Sequence, residues 1–165
     1  AQGIQAVSLS PLLTSREITE AARLCPEIEV TIHGRLLMSA SRRLLLDAYQ
    51  QKVRHPESLQ NNKTLSIREE TRPQHMPVYE TALGTLVYTD FVQESFLELE
   101  SFLRSGIHRF YVSGAFAPEQ DHLDAVAAYH AVLNGEPAGD VRRRFLENHP
   151  SLPLSGGYYH QETIR

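Results

Sequence analysis

Two polar side chains stand directly before glycines at the ends of β-rich runs, and these are the places where this sequence could do chemistry. In Glu27–His33, Ile28, Val30 and Ile32 alternate with Glu29, Thr31 and His33, and Gly34 follows. That period of two, rich in β-branched residues, predicts a strand that ends at the glycine. A glycine lets backbone approach a ligand closely, and a histidine beside it can serve as a general base or ligand. The alternative for His33 is a purely structural strand end. Ile107–Val112 is a second strand candidate, and Ser113-Gly114 ends it in the same way. Other chemistries have less to stand on. The chain contains no Gly-x-Ser-x-Gly elbow and no His-Glu-x-x-His helix. His122 and His130 lie eight apart on one predicted helix, on adjoining faces, which is poor spacing for a shared metal. His75, His108, His149 and His160 read as surface residues.

The elements that must position these groups follow from pattern and capping. Ile4–Leu9 predicts a strand. Thr14-Ser15-Arg16-Glu17 is a capping box that opens a helix with Ile18, Ala21, Ala22 and Cys25 inward, ending before Pro26. With the Glu27–His33 strand this makes a βαβ unit, hence a parallel pair. Cys25 therefore reads as a small core residue. Arg42–Gln51 predicts a helix with Leu45, Leu46 and Tyr49 on its apolar side, and 55–63 a polar loop. Short strands over Leu65–Thr71, Met76–Tyr79 and Gly84–Tyr88 read as an antiparallel insertion. A helix over Val92–Arg104 places Phe96, Leu99, Phe102 and Leu103 on one face, with Gly106 closing it. The helix after Pro118 has Leu123, Val126, Ala127, His130 and Leu133 as its expected inner face. A short helix spans Asp140–Asn148, and residues 152–165 form an extended tail.

Composition bounds the rest. At 165 residues the chain is long enough for one domain with a real core. The single cysteine rules out an internal disulfide or a cysteine-built cluster within one chain. No apolar run reaches the ~18 residues a membrane span needs, and no signal peptide is evident, so the expected setting is cytoplasmic. The net charge of −4 is unevenly spread. Arg35–Arg72 carries eight Lys/Arg against four Asp/Glu, whereas Pro73–Asp140 carries two against ten. That asymmetry predicts either two solvated faces or a basic segment for an anionic partner.

The strand with His33-Gly34, followed by Met38-x-x-Ser41-x-Arg43-x-Leu45-Leu46-x-x-Tyr49, resembles the signature of the collagenase-like U32 peptidase family. Pro77-Val78-Tyr79-Glu80 with Gly84-Thr85, Ser105-Gly106-Ile107 and Ser155-Gly156-Gly157-Tyr158 are similar to further segments of that family's C-terminal half. The resemblance implies an α/β fold: a partial TIM-barrel-like (βα) layer with a small antiparallel β insertion, a C-terminal helix and a tail. It also implies that His33, Gly34, Ser113 and Gly114 meet at the C-terminal ends of the strands. The candidate catalytic groups are then His33, Glu29 and Ser113, and the candidate binding residues Gly34, Arg35, Ser41, Arg43 and Gly114. Many family members hold an iron–sulfur cluster through cysteines. Leu37 and Leu44 stand at two of those positions, so no cofactor is expected here. The family's Lys-Ile-Glu-Gly-Arg motif reads Tyr111-Val112-Ser113-Gly114-Ala115 instead. Three functions follow as expectations: a partner subunit in bacterial tRNA wobble-uridine hydroxylation, a genuine protease, or a non-catalytic scaffold. The expected partners are a second copy, a longer cysteine-bearing U32 paralogue, or tRNA. Half a barrel would also leave the strands at Ile4–Leu9 and Ile107–Val112 unpaired and prone to self-association.

Overall fold

The computed structural model describes residues 3, 6–25, 27–54, 56–70 and 74–161. Its elements in order are β1 (Val7–Ser8), α1 (Ser15–Ala22), β2 (Ile28–Gly34), β3 (Leu37–Ser41), α2 (Leu45–Val53), β4 (Ser66–Ile67) and β5 (Met76–Thr81). There follow β6 (Gly84–Tyr88), β7 (Val92–Glu94), α3 (Leu99–Arg104), β8 (Arg109–Val112), α4 (Glu119–Leu133), α5 (Ala138–Asn148) and β9 (Leu154–Ser155). The fold is mixed α/β, and its described strands do not close into a barrel. The chain divides into two compact units, one of Ala1–Gly34 with Phe91–Arg165 and one of Arg35–Asp90.

The first unit is built around β2. The capping box forms as its residues dictate: the Thr14 hydroxyl accepts from the Glu17 amide, while the Glu17 carboxylate accepts from the Thr14 amide. Strand β1 pairs parallel to β2, with Val7 beside Ile28, and β8 pairs parallel on β2 as well. The βαβ unit is therefore present. Its first strand is shorter than expected, and Ile4 and Pro26 lie outside the described residues. Ile28, Val30 and Ile32 are all buried, in a core with Ile18, Phe96, Leu99, Phe102 and Tyr159. Replacing Val30 with Asp would bury a carboxylate with no counter-charge, and is expected to cost several kcal/mol, about 3 or more. Thermal unfolding checks this, and an unchanged Tm would refute the inward placement of Val30.

Three expectations for the first unit need correction. Val92–Arg104 is not one helix: Val92–Glu94 forms β7, antiparallel to β2 and parallel to β9, and only Leu99–Arg104 is helical. Sheet pairing takes the backbone that helical periodicity had claimed, although Phe96, Leu99 and Phe102 are core residues as expected. Helix α4 faces the other way round. Ala125 and Tyr129 are buried, whereas Leu123, Val126, Ala127, His130 and Leu133 are exposed. Both sides of α4 are apolar, so periodicity could not choose; the Tyr129 hydroxyl, which finds buried partners, did. Finally, His149 is not at the surface, since its side chain is only 10% exposed. The tail also contributes more than an extended end, because β9 adds a strand to the sheet.

The second unit is the antiparallel insertion, with strand order β3-β6-β5-β4. The expected strand Leu65–Thr71 shrinks to Ser66–Ile67, with Thr71 outside the described residues, as is His55 of the polar loop. Helix α2 starts three residues later than expected and buries none of its side chains; Leu45 and Tyr49 face solvent. What holds it is Glu80, fully buried on β5. Its Oε2 accepts from the Leu46 amide at 2.8 Å and its Oε1 from the Asp47 amide at 2.9 Å. Thr85 adds a hydroxyl contact to Glu80 and accepts from the Leu45 amide at 2.9 Å. A remote carboxylate thus caps the helix where no Ser or Asp precedes it.

Candidate functional site

The site candidate within the first unit lies at the C-terminal ends of β2 and β8. The His33 carbonyl accepts from the Ser113 amide at 2.8 Å, which brings the two polar-glycine pairs together. Gly34 adopts φ 113°, and a Cβ there would lie 2.5 Å from the Ser113 carbonyl oxygen, so only glycine fits. A Cβ on Gly114 would meet the His122 ring at 3.3–3.4 Å. His33, Gly34, Ser113 and Gly114 therefore share one end of the sheet, with His122 beside them.

Strict alternation would turn His33 away from the core, but it does not. The β2/β8 register shifts between Thr31 and His33, so two residues of β2 span one step of β8. Such a bulge re-aims the side chain that follows it. His33 enters a cage of Phe96, Tyr129 and Phe145, with ring centroids at 6.4, 5.6 and 5.6 Å. Burial lowers its pKa to about 4, with further lowering from His122 and His149. At neutral pH the ring is uncharged. The Tyr129 hydroxyl lies 3.5 Å from its Nδ1, a long and weak hydrogen bond.

Around this ring runs a buried polar network. The Tyr129 hydroxyl donates to the Ile32 carbonyl at 2.9 Å and accepts from the Ser95 amide at 2.8 Å. The Tyr159 hydroxyl donates to the Thr31 carbonyl and accepts from Gln93 Nε2, at 2.9 and 2.8 Å. Ser95 Oγ lies 2.8 Å from both the Ile32 carbonyl and the Tyr159 hydroxyl. Burial raises both tyrosine pKa values well above the ordinary phenol range, so both are neutral phenols. Glu94, nearly inaccessible, pairs with Arg142 Nε at 2.7 Å and accepts from the Phe96 amide. His149 lies between Asp121 and Asp124, at 3.5 and 3.3 Å. Gln93 Oε1 and His122 Nδ1 are buried with no hydrogen-bond partner among the described residues. Tyr129→Phe strands the Ser95 amide and takes one of two donors from the Ile32 carbonyl, and should cost about 1–3 kcal/mol; the urea midpoint measures it, and a neutral result would mean that the hydroxyl is dispensable.

The remaining candidates are placed elsewhere. Glu29 is four residues before His33 on β2, about 13 Å along the strand, and is not one of the ring's neighbours. The Ser113 hydroxyl accepts from the Ala115 amide at 3.3 Å. Arg35, Ser41 and Arg43 belong to the second unit. Arg35 Nη1 donates to the Thr89 carbonyl at 2.7 Å, and partial burial lowers its pKa, against the raising effect of Asp90. Ser41 Oγ accepts from the Arg43 amide, and the Arg43 side chain is exposed. Leu37 and Leu44 carry no atom able to ligate iron, so these positions do not fit a cluster. Among the described residues no group of three or more His, Cys, Asp or Glu side chains is placed to hold a metal ion. No described helix is long and apolar enough to cross a membrane.

Sequence reasoning missed Gln93, Glu94, Tyr129, Arg142 and Tyr159. One signal was available: Gln93, Glu94 and Ser95 are three polar residues in a row, and they break the apolar face claimed for a helix there. Comparison with family models, curated proteins and solved structures returns no match for this chain.

Proposed function

We propose that this chain is a U32-like protein that serves as an RNA-holding partner subunit in tRNA wobble-uridine hydroxylation, with a longer cysteine-bearing paralogue supplying the redox cluster. The parallel strands β1, β2 and β8, with α1 following β1 and α4 following β8, would be part of a barrel-like layer. The observation that carries the reading is a contrast in how cations are neutralised. Six arginines of the first unit, Arg16, Arg104, Arg109, Arg142, Arg143 and Arg144, each sit within ion-pair distance of a carboxylate. In the second unit Arg42, Arg43, Lys63 and Arg68 are exposed, and the ion pairs found among the described residues include none of them. Uncompensated surface cations favour phosphate.

Proteolysis has less behind it. A nucleophile needs a base in reach and an orienting third group. His33 is enclosed by aromatic rings, and the Ser113 hydroxyl hydrogen-bonds to backbone. The scaffold reading is what remains if RNA does not bind. The test is anisotropy titration of an anticodon stem–loop between 50 and 200 mM salt, concentrations over which counterion release is readable. Four phosphate contacts should give a slope of log K on log salt of about −3, and Arg42→Gln with Arg43→Gln should remove about 1.4 of it. Absence of binding at low salt, or a salt-independent affinity, would overturn the RNA role.

A further inference from the structure

Two helices, one in each unit, present apolar stripes to solvent. On α2, Leu45, Tyr49, Lys52 and Val53 follow i, i+4, i+7, i+8 spacing and share a face. Leu45, Tyr49 and Val53 are 47%, 60% and 48% exposed. On α4, Glu119, Leu123, Val126, His130 and Leu133 follow the same periodicity, and Leu123, Val126 and Leu133 are 52%, 43% and 43% exposed. A protein seldom leaves two such stripes bare without an interface to cover them.

From these faces we infer that the chain self-associates, α2 of one copy lying on α4 of a second. Three matches select this occupant. The stripes are similar in length, about 12 Å from Leu45 to Val53 and about 15 Å from Leu123 to Leu133. The α2 face carries a cation at its C-terminal end, Lys52, and the α4 face an anion at its start, Glu119; both are exposed, and neither belongs to an ion pair among the described residues. The units have opposite charge balance: residues 35–90 hold eight Lys/Arg and six Asp/Glu, and the remainder holds eight and fourteen. Like would repel like at an α4–α4 contact, whereas unlike faces attract. Leucine, valine and a half-exposed tyrosine also suit a protein partner better than a polyanion, which would leave the aliphatic side chains wet. The inference does not depend on the RNA reading, which uses Arg42, Arg43, Lys63 and Arg68.

Unlike faces permit a decisive complementation. The native chain should sediment above monomer mass at high concentration, and less so as salt rises. Tyr49→Glu spoils only the α2 face and Leu123→Glu only the α4 face; each should weaken association by at least about 30-fold, the effect of losing one central contact. Mixed at equal concentration, the two variants should form a 1:1 dimer through the face each retains. Both substitutions fall on exposed side chains, and unchanged thermal melting of each variant confirms that folding is intact. A native chain that stays monomeric throughout overturns the inference. So does a mixture that stays monomeric, and so does association abolished by one substitution and untouched by the other, which would mean that like faces meet. RNA binding unaffected by either substitution, beside a monomeric native chain, would leave the proposed function standing and this inference refuted.

Discussion

Glu80→Ala is expected to destabilise the second unit by about 3–5 kcal/mol, because one carboxylate satisfies several groups that nothing else can reach. It is fully buried, and it holds the amides of Leu46 and Asp47 at the first turn of α2 while contacting the Thr85 hydroxyl. Removing it strands two donors at the positive end of a helix that buries none of its own side chains. Helix α2 has little else to hold it, and its intrinsic length of nine residues is too short to persist alone. Far-ultraviolet circular dichroism should show loss of helix, and hydrogen exchange at Leu46 and Asp47 should accelerate before that of the first unit. Glu80→Gln retains one acceptor oxygen and should cost roughly half as much. Full stability in Glu80→Ala would mean that solvent or another side chain caps α2.

The second large effect is acid lability of the first unit through His33. Its pKa is near 6.5 when exposed and about 4 in the folded chain. Below pH 6.5 the unfolded chain therefore binds a proton that the folded chain refuses, and stability falls as pH falls. The slope is about 1.4 kcal/mol per pH unit for this one group, for a total loss of about 3 kcal/mol by pH 4. Two neighbouring groups act in the same sense, since His122 and His149 repel a charge there; Asp121 and Asp124 lie beside His149 rather than against the ring. Carboxylates begin to titrate at the bottom of this window, so the comparison must be with His33→Phe, which keeps a ring in the cage. That variant should lose the extra slope between pH 6.5 and 4. Parallel stability profiles for both proteins would show that His33 titrates normally and that the cage is open to water.

Much of the scaffold was legible because it depends on neighbours in sequence. The capping box at Thr14–Glu17 is a four-residue geometry, and the alternation of Ile28, Val30 and Ile32 sets which side of a strand is apolar. The glycines after His33 and Ser113 mark strand ends for the same local reason. The sequence by itself therefore determined the parallel β1–β2 pair and the antiparallel pairing of residues 76–88, whereas the meeting of the two strand ends is a tertiary contact. What it could not determine were choices between locally equivalent options. Helix α4 is apolar on both sides, and the Tyr129 side is the inner one because its hydroxyl meets the buried Ile32 carbonyl and Ser95 amide while its ring stacks on Phe96. Residues 92–95 can follow a helical or an extended path, and the free edge of β2 at His33 and Gly34 decides for the strand. His33 faces the aromatic cage because of a bulge, which is a mismatch between two strands and is written in neither alone. Contacts over long separations, such as Tyr159 to Thr31 and Glu80 to Leu46, have no local signature because their partners are chosen by how the folded chain returns on itself.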